Sequence, residues 1–259
     1  MYEIFSNKEV GPDIYHLVLK CEGLEKEVKA GQFFNIKLSG INSYDPLLRR
    51  PLSVFDFSNE SKRVEFVYKV VGKGTEILAN YNPGEKLDLL GPLGSPFSIS
   101  DRQSANIHLI GGGMGIAPLY LLAKKLKDLP IKVFLGAANK AELDFFADKF
   151  KNLGVEIHLA AMEEKLEIKG TALRLWDNYL KSELPSFVYC CGPEPLLSAV
   201  EIKALKEKIP GEISIEKRMG CGFGVCLSCS CESRNENEKN KRACVEGPVF
   251  AFGEVKYCE

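Results

Sequence analysis

The chain has 259 residues, 45% of them hydrophobic and 27% charged, a composition that can bury two compact cores and a small appended module. Its 34 basic and 35 acidic residues leave a formal charge of -1, so no broad positive field exists to gather nucleic-acid backbones or anionic lipids. The longest apolar stretch, Ile107 to Ala123, is broken by Gly111, Gly112, Gly113, Gly115 and Pro118, unlike a membrane-spanning helix. The N-terminus lacks the basic start, apolar middle and cleavage site of a secretion signal. Neither a membrane nor a nucleic acid is an expected partner, and the cytoplasm is the expected location.

Residues 1–99 read as short strands, among them Tyr15 to Leu19, Phe33 to Leu38, Val64 to Val71 and Lys86 to Leu90. Turn signals at Gly11-Pro12, Ala30-Gly31, Asn82-Pro83-Gly84 and Gly91-Pro92-Leu93-Gly94 separate them, which predicts an antiparallel β-barrel. Where one strand begins, Arg49-Arg50-Pro51-Leu52-Ser53 sets an obligate cation, a φ-fixing proline and a hydroxyl in fixed relative positions. Arg50 is placed to clamp a pyrophosphate and Ser53 to hydrogen-bond a flavin ring. Val67-Tyr68-Lys69 follows, then Gly72-Lys73-Gly74-Thr75 ahead of a short helix expected over Glu76 to Tyr81. The free N–H groups there suit phosphate, with Gly74 and Thr75 adding backbone and hydroxyl donors. Taken alone, Arg-Pro-Leu-Ser reads equally as an ordinary strand start; the glycine-threonine helix start behind it turns the reading toward a cofactor site.

From Asn106 the texture changes. Strands are expected at Ile107 to Ile110, Ile131 to Leu135, Val155 to Leu159 and Phe187 to Cys190, with helices at Leu119 to Lys127, Ala141 to Phe150 and Glu194 to Lys208. Such alternation implies a parallel sheet. Two loops, Gly111-Gly112-Gly113-Met114-Gly115 and Cys191-Gly192-Pro193, each follow a strand and open a helix, offering bare backbone donors at the sheet edge where dinucleotides bind. After the next strand, Gly136-Ala137-Ala138-Asn139-Lys140 lacks the arginine that commonly reads a 2'-phosphate. NAD is therefore favoured over NADP, with Lys140 the residue that could reverse the preference.

Nine cysteines are poorly explained by disulfides in a reducing compartment. Five of them, at 221, 226, 229, 231 and 244, fall in one short window, which favours a metal centre. Cys221, Cys226 and Cys229 with the distant Cys244 match the plant-type C-x4-C-x2-C spacing of a [2Fe-2S] cluster. Gly222 and Gly224 let the loop fold closely, so that backbone N–H groups can point at sulfur. A zinc site on the same thiolates is the competing reading, but structural zinc usually shows paired short knuckles and one is present here. Cys231 is expected to be a spectator, and Cys21 and Cys258 ordinary thiols. The polar stretch Ser233 to Arg242 reads as an exposed loop, and His16, His108 and His158, far apart within predicted strands, as structural.

The order of barrel flavin motif, glycine-rich nucleotide domain and cysteine module resembles the ferredoxin reductase-like flavoproteins over essentially the whole chain. Their FAD motif is R-x-Y-S/T; Leu52 stands at the tyrosine position here, which leaves Tyr68 to supply an aromatic stack. More narrowly, RRPLS, the downstream GKGT and the C-terminal RMGCGFGVCLSC are similar to the electron-transfer subunits of NAD-dependent dihydroorotate dehydrogenases. The resemblance implies an α+β multidomain fold: an FAD-binding antiparallel β-barrel over 1–99, a Rossmann-like α/β domain for NAD over 100–212, and a small [2Fe-2S] module over 213–259. It implies bound FAD, with NAD as an exchangeable substrate, and it places Cys191 beside the nicotinamide while Cys190 faces the core.

The same resemblance implies a separate FMN-containing catalytic subunit, joined with this chain as an α2β2 heterotetramer, that oxidises dihydroorotate in pyrimidine biosynthesis. Its electrons would pass singly through the cluster to FAD and leave as hydride to NAD+. No acid, base or nucleophile is required of this chain, whose work is alignment, exclusion of oxygen and tuning of potentials. An apolar surface at Met219, Phe223, Val225 and Leu227 is the expected docking face. Two rivals remain at this stage: an electron-transfer subunit of a hydrogenase or ferredoxin reductase complex, and a colourless zinc-binding module on a degenerate flavin fold.

Overall fold

Strict alternation of side chains builds the first half of the molecule. The computed structural model describes residues 1–22, 24, 27–38, 44–99, 106–237 and 239–256. Strands β1 (Tyr2–Gly11), β2 (Ile14–Lys20), β3 (Phe33–Lys37), β4 (Arg50–Ser58) and β5 (Arg63–Lys69), then helix α1 (Lys73–Ala79) and strand β6 (Lys86–Leu93), make up this half, and its strands close a barrel in the order β1-β2-β5-β4-β3-β6. Every neighbouring pair is antiparallel, as expected. In β3 the period of two sends Phe34 and Ile36 into the barrel core, whereas Phe33 joins a second core outside it. Helix α1 begins three residues before the expected Glu76, so Gly74 and Thr75 lie inside its first turn rather than ahead of it.

The second half alternates as expected. It comprises β7 (Ile107–Gly112), α2 (Ala117–Leu126), β8 (Ile131–Ala137), α3 (Lys140–Lys151), β9 (Glu156–Ala161), β10 (Ile168–Lys169), α4 (Ala172–Tyr179), β11 (Phe187–Cys191), α5 (Glu194–Lys206) and β12 (Gly211–Ser214). A 3-10 turn, Gly113–Ile116, separates β7 from α2, so the glycine loop meets its helix through an extra turn. Asn139 caps α3 by accepting from Glu142 N–H, and Thr171 caps α4 by accepting from Arg174 N–H, each satisfying a donor that a helix start leaves unpaired.

The cysteine module contributes β13 (Ser230–Ser233), β14 (Lys241–Arg242), β15 (Val249–Ala251) and β16 (Val255–Lys256). Strand β15 does not stay within it. It pairs antiparallel with β12 and completes a seven-stranded sheet, β10-β9-β8-β7-β11-β12-β15. The sheet thus runs through Ser214, past residue 212, and the module closes its edge. β13, β14 and β16 form a small sheet of their own.

The three parts are locked together by side chains. Phe55 of β4 stacks on Tyr120 of α2 with ring centroids 4.4 Å apart, while Lys124 of α2 pairs with Asp56 at 2.8 Å and Lys69 of β5 with Glu142 of α3 at 2.6 Å. One apolar core therefore runs from the barrel into the α2 and α3 side of the sheet. The other core lies under α4 and α5 and continues into the module through Cys229, Cys231, Cys244 and Phe250.

All three histidines fall within strands. His108 is fully buried and accepts from Trp176 Nε1 at 3.0 Å, His16 meets Glu65 at 2.7 Å, and His158 lies between Glu156 and Glu167.

Candidate functional site

The sheet positions the site. Its chain path runs outward from β7 to β8, β9 and β10, then returns to the other side of β7 with β11 and β12. A crevice at the carboxyl ends of strands opens where that direction reverses, between β7 and β11. A cavity of about 300 Å³ lies there, lined by Gly112, Met114, Gly115 and Pro118 from the first loop and Cys191, Gly192 and Pro193 from the second. The two loops touch backbone to backbone: a Cβ on Gly115 would stand 2.4 Å from the Cα and N of Gly192. Of the remaining lining residues, Ser53 belongs to β4, Ser214 ends β12, and Ile215 and Glu216 follow it. Motif reading passed over these last three, although their place at the end of the next parallel strand is the signal that could have found them.

A second cavity, about 340 Å³, lies against the barrel and gathers the flavin constellation. Arg50, Pro51, Leu52 and Ser53 from β4, Val67, Tyr68 and Lys69 from β5, and Thr75 from α1 all line it. Ser53, Met114 and Glu216 border both cavities, so the two spaces adjoin. A third, about 190 Å³, is lined by Gly112, Gly113, Gly136, Ala137, Ala138, Met162, Thr171, Ala172, Pro193 and Leu196, and it shares Gly112 and Pro193 with the first. The three adjoining cavities thus follow one another from the barrel motif across the switch point to the end of β8.

Individual residues refine the expectations. A Cβ on Gly74 would come within 2.7 Å of Arg50 Nε, so the missing side chain is what lets the guanidinium lie over the start of α1. The Thr75 hydroxyl donates to Gly72 O at 3.0 Å and accepts from Val71 N–H at 2.9 Å; it stabilises the turn instead of presenting a donor to the cavity. Lys69 carries the ion pair to Glu142, which sets its ammonium at the junction with α3. Tyr68 is 2% exposed, stacks on Tyr15 at 5.6 Å, and donates to Asn7 Oδ1 at 3.1 Å, and burial pushes its phenol above the ordinary range. Gly111 lines none of these cavities: a Cβ there would face Ile116, Leu119 and Leu135, so its small size serves packing. Cys190 is fully buried in the sheet, whereas Cys191 reaches the central cavity. Burial, and then the Glu216 carboxylate, push the Cys191 thiol up to about 12.

The four cysteines of the C-terminal pattern come together as two pairs. Cys229 and Cys244 are buried, with their sulfurs 3.3 Å apart. Cys221 and Cys226 exchange backbone N–H to sulfur bonds of 3.3 and 3.4 Å. Hydrogen bonds from the Ser228 hydroxyl and then from backbone N–H groups bring the Cys226 thiol down to about 6, while burial and the neighbouring Cys229 push Cys244 up to about 12. Among the described residues no three His, Cys, Asp or Glu side chains converge closely enough to hold a single metal ion. Gly222 and Gly224 have φ of +81° and +89°, a region where only glycine is free of strain, and both sit under neighbouring side chains that a Cβ would strike. Arg242 braces the loop by donating to Gly224 O at 3.0 Å while paired with Glu246.

Cys231 points away into the second core and its Sγ donates to Cys229 O at 3.7 Å; Cys258 lies outside the described residues. Around the loop Phe223, Val225 and Leu227 are exposed, and Met219 is half-buried, packing partly against the second core.

A closed six-stranded antiparallel barrel, a parallel sheet with a cavity at its switch point, and a thiol-rich module at its edge define a ferredoxin reductase-like protein for flavin and iron–sulfur electron transfer. Two family models match in the same order: an oxidoreductase FAD-binding domain over residues 2–97 and an iron-sulfur cluster binding domain of dihydroorotate dehydrogenase B over residues 216–256. The electron transfer subunit of dihydroorotate dehydrogenase B (NAD(+)) from Enterococcus faecalis is 38% identical, over 98% of this chain and 97% of that one. Its namesake from Desulforamulus reducens is 33% identical over 95% and 94%. The chain belongs to this family of dihydroorotate dehydrogenase B electron transfer subunits. A solved structure of an NADH-dependent reduced ferredoxin-NADP oxidoreductase superposes with a TM-score of 0.87 at 30% identity, covering 99% of this chain and 90% of that one. Among the described residues no helix is long and apolar enough to cross a membrane.

Proposed function

We propose that this chain is the electron-transfer subunit of a cytoplasmic NAD-dependent dihydroorotate dehydrogenase, an α2β2 heterotetramer in which electrons from an FMN-containing catalytic subunit reach NAD+ by way of the [2Fe-2S] cluster and FAD that this chain holds. The observation that carries the reading is the adjacency of the two cavities: the residues of the flavin motif and of both glycine loops line adjoining spaces that share Ser53, Met114 and Glu216.

When bound, the cluster supplies one-electron chemistry and the flavin supplies its conversion to hydride transfer. Arg50, seated over Gly74, receives the FAD pyrophosphate. Pro51, Leu52 and Ser53 border the isoalloxazine, with Val67, Tyr68 and Lys69 on the neighbouring strand. The open backbone of Gly112, Gly113 and Gly115, beside Met114, takes the dinucleotide, and Cys191, Gly192 and Pro193 border its nicotinamide. Cys191 stays a neutral thiol there, because burial and Glu216 hold its proton, so it contributes shape rather than acid–base chemistry. At the module, the two-plus-two pairing of Cys221 with Cys226 and Cys229 with Cys244 fits a dinuclear centre in which each iron takes two thiolates, and N–H groups aimed at sulfur offset the charge that the thiolates bring.

The segment after β8 also bears on cofactor choice. Lys140 Nζ is bound to both oxygens of Asp144 at 2.6 and 2.7 Å, and its backbone N–H donates to Glu164 at 2.8 Å. Lys140, three residues past the end of β8, is thus already paired beside a further carboxylate, an environment that disfavours its use on a 2'-phosphate and supports NAD.

The test is anaerobic purification with the co-expressed catalytic subunit, recording the visible spectrum and then adding dihydroorotate and NAD+. Bleaching of flavin and cluster bands with NADH formation is the expected result. The likeness to the reduced ferredoxin-NADP oxidoreductase favours a second reading, electron transfer in a different NAD(P)H-linked complex. Cofactor bands that NADH bleaches and dihydroorotate does not would establish that reading instead.

A further inference from the structure

Asn35 is an unexpected residue at its position. It lies in the middle of β3, fully buried, between the core residues Phe34 and Ile36. The alternation that sends those two inward turns Asn35 outward, toward the cysteine module. There Nδ2 donates to the carbonyl of Cys221 at 3.2 Å. The contact is close because Gly222 has no side chain: a Cβ there would stand 2.4 Å from the same Nδ2. Across the barrel wall, Asn35 is the register partner of Pro51, and Ile36 that of Arg50. One side chain therefore joins the first cysteine of the metal loop to β3, the strand paired with the one that carries the flavin motif.

A buried amide is costly unless it is used. Among the described residues Asn35 Oδ1 has no hydrogen-bond partner, and a leucine, with the same number and branching of side-chain heavy atoms, would occupy the position without leaving a side-chain polar atom unpaired. From this geometry we infer that Asn35 is a positioning residue, which fixes the cysteine loop against β3, the neighbour of the flavin-motif strand, and so sets both the surroundings of the cluster and its separation from the flavin. This rests on the cofactor reading above. It adds that the register between the two redox centres is held by the barrel, through β3, as well as by the strand that the module lends to the sheet.

The experiment is Asn35→Leu in the intact complex with its catalytic subunit. It measures iron and FAD content, the electron paramagnetic resonance spectrum and midpoint potential of the cluster, and the rate at which electrons equilibrate between flavin and cluster after mixing with NADH. The expected variant retains iron and FAD and is reduced by NADH at the flavin as fast as the unaltered complex. Its cluster spectrum and potential shift, and equilibration with the cluster slows several-fold. A loaded variant with an unchanged spectrum, potential and equilibration rate overturns the inference. Should Asn35→Leu fail to fold, Asn35→Ala removes the same contact without adding bulk and is read by the same criteria. An unaltered complex lacking iron or FAD would instead overturn the cofactor reading, and this inference with it.

Discussion

The contact between the two glycine loops makes Gly115→Ala the most informative single substitution. The added Cβ would sit 2.4 Å from the Cα and N of Gly192 and 2.6 Å from the carbonyl carbon of Cys191, where carbon atoms normally rest about 3.5–4.0 Å apart. The obstacles are backbone atoms, so no rotamer change relieves them and the loops must separate by roughly 1 Å or more. Overpacking of this kind costs about 1–3 kcal/mol. Because Gly112, Gly115, Cys191 and Gly192 line one cavity, the separation reshapes the nucleotide site as well as weakening the fold. Since about 1.4 kcal/mol is a factor of ten in affinity, the KM for NADH in flavin reduction is expected to rise about tenfold. The urea midpoint should fall alongside. Gly111→Ala is the control: its Cβ would meet only side-chain atoms, Ile116 Cγ1 at 3.0 Å and Leu119 Cδ1 at 3.1 Å, which can yield, and it is expected to lower the midpoint with much less effect on KM. If Gly115→Ala matched the unaltered protein in both measurements, the account of the loop contact would be refuted.

Cys244→Ser is expected to abolish iron binding and the cluster absorption, whereas Cys231→Ser, altering a thiol in the second core, should keep full iron content; equal loss in both would show that the ligand set is misassigned. Freeing Lys140 by Asp144→Ala together with Glu164→Gln should narrow the preference for NADH over NADPH, read as the ratio of their kcat/KM values, and an unchanged ratio would count against the paired-cation explanation. His108 supplies a pH prediction. Burial lowers its pKa from 6.5 to about 4, so the unfolded chain takes up the proton first and stability is lost as pH falls from 6.5 toward 4. His108→Gln, which can still accept from Trp176 but cannot titrate, should flatten that part of a plot of thermal midpoint against pH; an unaltered slope would show that other groups set it.

Local chemistry made much of this legible in advance. The barrel strands follow a period of two, and the alternation of strands and helices after Asn106 marks the parallel sheet, so both halves of the fold could be read from patterning. Element ends were less legible: α1 starts early at Lys73, and α2 is preceded by a 3-10 turn over Gly113–Ile116, because glycines whose neighbours pack tightly adopt turns that propensity alone does not specify. Strand β1, helix α4 and the small strands of the module went unread, and Met219, expected on the surface, is half-buried against the second core. An apolar side chain in a loop carries no periodicity to show which way it faces.

The spacing of Cys221, Cys226, Cys229 and Cys244 determined the cluster reading by itself, since a C-x4-C-x2-C run confines three thiols to one tight loop wherever that loop lies. Arg50 and Ser53 were likewise legible, because consecutive residues of a strand hold fixed relative positions. Tertiary structure alone could decide which distant segments meet. Only the fold seats Gly74 beneath Arg50, sets Gly115 against Gly192, brings Glu216 between two cavities, lends β15 to the sheet, and turns Asn35 from the barrel wall onto Cys221. Each of these contacts joins residues far apart in the chain, and no local pattern encodes them, because the packing of whole strands and helices fixes their distance.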